Sequence, residues 1–195
     1  ELIGFHIEND TDALVICGTT GEPSTMSFEE WKSVVEFVIN KNRGRLPIIV
    51  GSGSNDTKTA VARTKVCKEL GADGVLVVTP YYNKATQKGL YEHFKLIATE
   101  SELPMILYNV PSRTGCNIIP ESCAVLAKHP NIVAIKEASG NISQIAKLAQ
   151  LCGNDIDIYS GNDDQIIPVL SLGGKGVISV LSNIMPNATS KMCKL

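Results

Sequence analysis

Short apolar runs, rich in β-branched residues, recur along the chain: Ala13–Cys17, Pro47–Val50, Gly74–Val78, Met105–Tyr108, Ile132–Lys136, Ile156–Ser160 and Gly176–Val180. Each is nearly continuous in Val, Ile and Leu rather than alternating, the pattern of strands covered on both faces in a parallel sheet. The stretches between them switch to helical spacing. Ser27 precedes Phe28-Glu29-Glu30 in a capping-box arrangement, and Trp31, Val34, Val35 and Val38 follow on one helical face. Asp56 is placed to cap a helix carrying Ala60, Val61, Thr64, Val66 and Leu70, with Gly71 as its stop. Gln87–Glu100, Pro120–Lys128 and Asn141–Leu151 repeat the theme. The chain opens in a helical stretch, Leu2–Ile7, and ends in another, Pro186–Leu195.

Seven strand–helix units with short connections imply right-handed crossovers and a parallel sheet. The two candidate forms are an open doubly wound sheet and a closed barrel. Absence of a second domain favours a (β/α)8 TIM barrel, a fold that takes about 250 residues. The expectation is therefore an α/β chain whose residues 1–195 form one partial (β/α)8 barrel catalytic domain, a fragment lacking the first strand and the C-terminal helices.

Composition narrows the function. The chain has 195 residues, a net charge of −2, and 19% charged against 44% hydrophobic residues. That balance argues against disorder and against nucleic acid or an anionic membrane as partner. No apolar run approaches the roughly 18 residues of a membrane span, and no secretory signal opens the chain. Six cysteines without a CxxC pair read as reduced thiols, so a cytoplasmic location is expected. His6, His93 and His129 stand apart from one another and from ligand-spaced partners, so no metal is expected. Gly51-Ser52-Gly53-Ser54 lacks the third glycine of a dinucleotide loop, Asp56 standing in its place.

In a barrel the chemistry sits on the loops beyond the strand C-termini. Those loops carry Gly18-Thr19-Thr20-Gly21-Glu22, Thr79-Pro80-Tyr81-Tyr82-Asn83, Tyr108-Asn109-Val110-Pro111-Ser112-Arg113-Thr114-Gly115, Lys136-Glu137 and Ser160-Gly161-Asn162-Asp163-Asp164. Lys136 ends a buried strand, where lost hydration favours the neutral amine that attacks a ketone to form a Schiff base. The alternative is a strand-end lysine that reaches out to solvent. Tyr108 is placed to relay protons, or else is a core phenol with one satisfied hydroxyl. Arg113 suits a carboxylate, or is an exposed loop residue. Thr19 and Thr20 offer hydroxyl and N–H donors to an anion, or form a plain tight turn.

Taken together, the Gly18–Glu22, Thr79–Asn83, Tyr108–Gly115 and Lys136-Glu137-Ala138-Ser139-Gly140 motifs resemble the dihydrodipicolinate synthase family of the N-acetylneuraminate lyase superfamily. The likeness spans essentially the whole chain, in order and with consistent spacing. It implies a class I aldolase with no cofactor. Pyruvate would form a Schiff base on Lys136, and its enamine would attack aspartate semialdehyde to give 4-hydroxy-tetrahydrodipicolinate. Tyr108 would be the proton relay, linked by Thr19 to Tyr82. Thr20 would bind the pyruvate carboxylate and Arg113 that of the semialdehyde. The Gly161 backbone and the Ile178 carbonyl would line the site. Tyr82 would be donated across a tight dimer interface within a dimer of dimers. Sialic acid and keto-sugar-acid lyases share the lysine, the tyrosine and one threonine, and usually lack this combination of a second threonine, paired tyrosines and Pro-Ser-Arg-Thr-Gly. A non-catalytic remnant that pairs with a full-length subunit is the other alternative. A feedback site for lysine would involve Ser24, Phe28, Trp31, Asn55, Thr59 and Tyr81, and because Phe28, Trp31 and Thr59 are poor partners for a lysine ammonium and carboxylate, weak or absent inhibition is expected.

Overall fold

A computed structural model describes residues 1–153 and 155–194. Seven strands run parallel and neighbour one another in sequence order: β1 Leu14–Ile16, β2 Ile48–Gly51, β3 Gly74–Val78, β4 Met105–Asn109, β5 Ile132–Glu137, β6 Asp157–Ser160 and β7 Gly176–Val177. Helix α1 (Leu2–Glu8) precedes the sheet. The crossovers are α2 (Phe28–Asn42), α3 (Thr57–Leu70), α4 (Gln87–Ser101), α5 and α6 (Pro111–Thr114, Pro120–Leu126), α7 (Ile142–Cys152) and α8 (Ile166–Ser171), and α9 (Pro186–Cys193) follows β7.

The helix starts follow from local chemistry. Ser27 and Glu30 form the reciprocal capping box, and the Asp56, Thr86 and Asn141 side chains accept from the third residue ahead of them. Pro120 occupies a first-turn position, where its missing N–H has no role.

The strands alternate between two apolar layers. Val75, Val77, Met105, Leu107 and Ile135 face outward to Trp31, Leu90, Phe94, Ile97 and Ile145 of the helices. Leu76, Tyr108, Val110 and Ala138 face inward and pack with Val15, Val78, Ile106 and Ile178. Val15 from one end of the sheet thus shares an inner cluster with Ile178 from the other. The sheet is curled into a partial barrel, with β1 and β7 as its two edge strands.

Element by element, the expected strands are present within a residue or two of their bounds, save that β7 stops at Val177 and Val180 is half exposed. Beyond Val177 a single bond, Ile178 N–H to the Ser160 carbonyl at 2.9 Å, continues the ladder. The helix expected over Pro120–Lys128 ends at Leu126, and α5 and α8 are additions. Leu195, the expected end of the last helix, lies outside the described residues. The six cysteines are free, five of them buried. Among the described residues no helix is long and apolar enough to cross a membrane.

Candidate active site

At the C-terminal ends of the strands lies a cavity of about 780 Å³. Thr19, Thr20, Tyr108, Arg113, Lys136, Gly161 and Ile178 all line it, so seven of the eight expected site residues converge there.

Register explains the central pair. Tyr108 on β4 and Lys136 on β5 are opposite one another in the parallel ladder, so their side chains emerge on the same inner face. The Lys136 Nζ stands 4.5 Å from the centre of the Tyr108 ring. Both residues are buried. Burial disfavours the ammonium and brings the Lys136 pKa down to about 8; the Arg113 charge acts in the same direction, and Asp163 opposes it. Burial also raises the Tyr108 phenol above its ordinary value, against the pull of the nearby Thr19 hydroxyl and the Arg113 charge.

Close approach dictates one glycine. A Cβ on Gly161 would stand 2.6 Å from the Ala138 Cβ and 3.1 Å from the Lys136 Cε, so only glycine lets the β6 loop close against the lysine arm. A second such contact shapes the threonine turn. Cys17, at the end of β1, has φ +53°, and a Cβ on Gly51 would meet its carbonyl oxygen at 2.1 Å. The left-handed Cys17 swings the chain out of the strand, and Thr19 and Thr20 enter a 3-10 turn, Thr19–Gly21, at the cavity rim.

Tyr82 is the expected residue that the single chain does not bring in. It is 89% exposed and stands outside the cavity. Its φ is +73°, and the Asn83 N–H donates to the Tyr81 carbonyl at 2.9 Å, a tight and strained turn. The Tyr82 N–H donates to the Thr114 carbonyl at 3.1 Å, and Asn55 and Asn83 brace the same turn.

Of the positions expected around a feedback ligand, Trp31 is a core residue. It is fully buried, and its Nε1 donates to the Gly51 carbonyl at 3.2 Å. Phe28 stacks on it with ring centres 5.7 Å apart, and the Thr59 hydroxyl donates to Asp56 at 2.6 Å.

Sequence reasoning missed what stands behind β5. Glu137 points to the opposite face from Lys136 and is 1% exposed, with no cation in contact among the described residues. Asn109 Nδ2 donates to both of its oxygens, at 3.2 and 3.0 Å, and the Ser139 N–H donates to Oε1 at 2.7 Å. Asn117 and Gln144 extend this set of amides to Gln87 on α4. The signal was a carboxylate directly following a buried lysine with no complementary charge in its motif. Among the described residues no cluster of His, Cys, Asp and Glu is arranged to hold a metal ion.

The sequence profile of the Dihydrodipicolinate synthetase family matches residues 1–195. The chain belongs to that family. A relative named 4-hydroxy-tetrahydrodipicolinate synthase, from Caldicellulosiruptor saccharolyticus, is 64% identical over 188 residues, covering 96% of this chain and 63% of the relative. The crystal structure of dihydrodipicolinate synthase from Aquifex aeolicus superposes with a TM-score of 0.97 at 47% identity, over 99% of this chain and 66% of that one. The enzyme from Acinetobacter baumannii, solved as a complex with pyruvate, matches with a TM-score of 0.97 at 47% identity over the same shares. The chain thus spans 63% of the length of its Caldicellulosiruptor relative, and the fold it shares with the family structures is a TIM barrel seen here in part.

Proposed function

We propose that this chain carries the site of a 4-hydroxy-tetrahydrodipicolinate synthase, a lyase of the class I aldolase type that joins pyruvate to aspartate semialdehyde in lysine and diaminopimelate biosynthesis. The observation that carries this reading is the buried Lys136, its Nζ 4.5 Å from the Tyr108 ring centre, inside the cavity and with a pKa lowered to about 8. With a pKa of about 8, roughly a tenth of such amines are neutral at pH 7, against well under a thousandth for an ordinary lysine, and a neutral amine is the form that attacks a ketone. The 64% identity to a relative bearing this activity's name supports the substrate assignment, as does the pyruvate in the Acinetobacter baumannii enzyme.

In this mechanism the Lys136 nitrogen adds to the pyruvate carbonyl carbon and the oxygen takes up a proton, giving a carbinolamine. Loss of that oxygen as water leaves a protonated C=N. Removal of a methyl proton then gives the enamine that bonds to the aldehyde carbon of aspartate semialdehyde. Cyclisation through the semialdehyde's own amine releases the lysine. Each transfer needs a proton carrier at the cavity, the role of Tyr108, with the Thr19 hydroxyl beside it on the same cavity wall. Thr20 receives the pyruvate carboxylate and Arg113 that of the semialdehyde, which suits a short acidic substrate rather than a polyol chain. Gly161 and Ile178 close the pocket around the ketone. The lysine itself serves as the electron sink, so this chemistry calls for no metal or nucleotide.

Tyr82, exposed on its strained turn, fits the role of a residue donated to a second subunit's site in a cytoplasmic homo-oligomer, a dimer of dimers. The test is borohydride reduction with pyruvate, followed by intact mass and peptide mapping. The expected result is a pyruvate-derived adduct on Lys136 that K136A abolishes and that aspartate semialdehyde competes away. A folded protein without that adduct overturns the reading, and competition by a sugar aldehyde instead reassigns it to the related lyases.

A further inference from the structure

The loop after β6 holds a carboxylate that this mechanism leaves unused. Asp163 opens the 3-10 turn Asp163–Gln165. Its Oδ2 accepts from the backbone N–H groups of Val180, at 3.1 Å, and Leu181, at 2.9 Å. Its Oδ1 is shielded from solvent and has no hydrogen-bond partner among the described residues. A carboxylate oxygen left bare in this way costs free energy, and the cost is recovered where a positive charge forms beside it.

The cavity contains the place for such a charge. The charged and titratable groups that line it are Cys17 beyond β1, Tyr108 on β4, Arg113 on α5, Lys136 on β5, and Asp163 and Asp164 beyond β6. Tyr159 is the register neighbour of Lys136 on β6, and Glu137 lies on the far face of β5. Arg113 repels a cation on Lys136, Asp164 is exposed, and the field of Asp163 is the one that favours the ammonium.

We propose that Asp163 is a positioning residue that clamps the Val180–Leu181 turn at the cavity and sets a fixed negative charge against the cation formed on the Lys136 nitrogen when a 2-oxo acid condenses there. This rests on the Schiff-base reading. The step consumes one amine, one ketone and one proton. The C–N bond forms, the C–O bond breaks, the oxygen leaves as water, and the nitrogen keeps one hydrogen and the positive charge. The Asp163 charge favours that product over the neutral carbinolamine, while its other oxygen keeps the loop in place.

Asp163→Asn separates the two duties, because its amide oxygen still accepts from Val180 and Leu181. The measurement is the rate of borohydride trapping of pyruvate on Lys136 as a function of pH, made on the complete protein. The expected result is a downward shift of the midpoint by about one pH unit, and about tenfold weaker trapping at limiting pyruvate. Asp163→Glu, which keeps the charge, restores both, and Asp163→Gln does not; this second pair decides the matter if D163N fails to fold. A midpoint unmoved by D163N overturns the proposal, as does a loss of trapping that is uniform across pH. A wild-type protein that forms no adduct on Lys136 overturns the Schiff-base reading itself, and is seen before any Asp163 variant is compared.

Discussion

Lys136 shows how one residue can oppose the fold that holds it. With a folded pKa of about 8 against an ordinary value of 10.5, its ammonium is less favourable in the folded chain than in the unfolded one. The unfolded state therefore binds more protons between those two values, and stability rises with pH across that window. At pH 7 both states are protonated and the penalty is fully expressed. Lys136→Met removes it, so the variant is expected to be more stable at pH 7 by up to about 3 kcal/mol, a margin that closes between pH 8 and 10.5. Urea midpoints of both proteins at pH 7 and pH 10 check this. Lys136 was legible in the sequence because a lysine directly extends an apolar run, Ile132–Ile135. Asp163 and Glu137 were not. What makes them unusual is their partners, Val180 and Leu181 for one and Asn109 for the other, and those contacts exist only once the strands are in register.

At the scale of elements, the pairing of α3 with α4 contains a titratable contact. His93 on α4 is buried, its Nδ1 lies 2.9 Å from the Thr57 hydroxyl on α3, and its Nε2 has no partner among the described residues. Burial lowers its pKa to about 4, only weakly opposed by Asp56. Below pH 6.5 the unfolded chain takes up a proton that the folded chain refuses until about pH 4, so stability present above pH 6.5 is lost as pH falls through this window. The expected loss is up to about 3 kcal/mol, and His93→Gln, which retains a partner for Thr57, flattens it. Denaturant midpoints between pH 7 and pH 4 for the two proteins give the answer. The long elements were readable because caps such as Ser27 and Asp56 act within three residues of themselves. Helix α5, at four residues, is shorter than the window in which a helical period can be seen. The early end of β7 reflects its place at the sheet edge, with β6 as its one neighbour.

At the scale of the whole molecule, the count of apolar runs predicted a parallel sheet one strand short of a closed barrel, and the sheet has two open edges. The place of Tyr82 was not readable in the same way, because its ring is almost fully exposed among the described residues. The Glu137 cluster has a consequence for the environment the protein tolerates. Four ion pairs, Lys65–Glu100, Lys68–Glu102, Lys128–Asp155 and Lys147–Glu121, lie on the exposed outer surface. Dissolved ions screen such contacts. The carboxylate behind Lys136 is instead held by amides and a backbone N–H inside the protein, where counterions do not reach. Raising ionic strength to about 1 M, where the screening length falls to about 3 Å, is therefore expected to speed amide exchange on α3 and α4 while leaving β4 and β5 unchanged. The molecule is built with a salt-sensitive skin over a salt-indifferent centre, and in brine its strand core should outlast its surface.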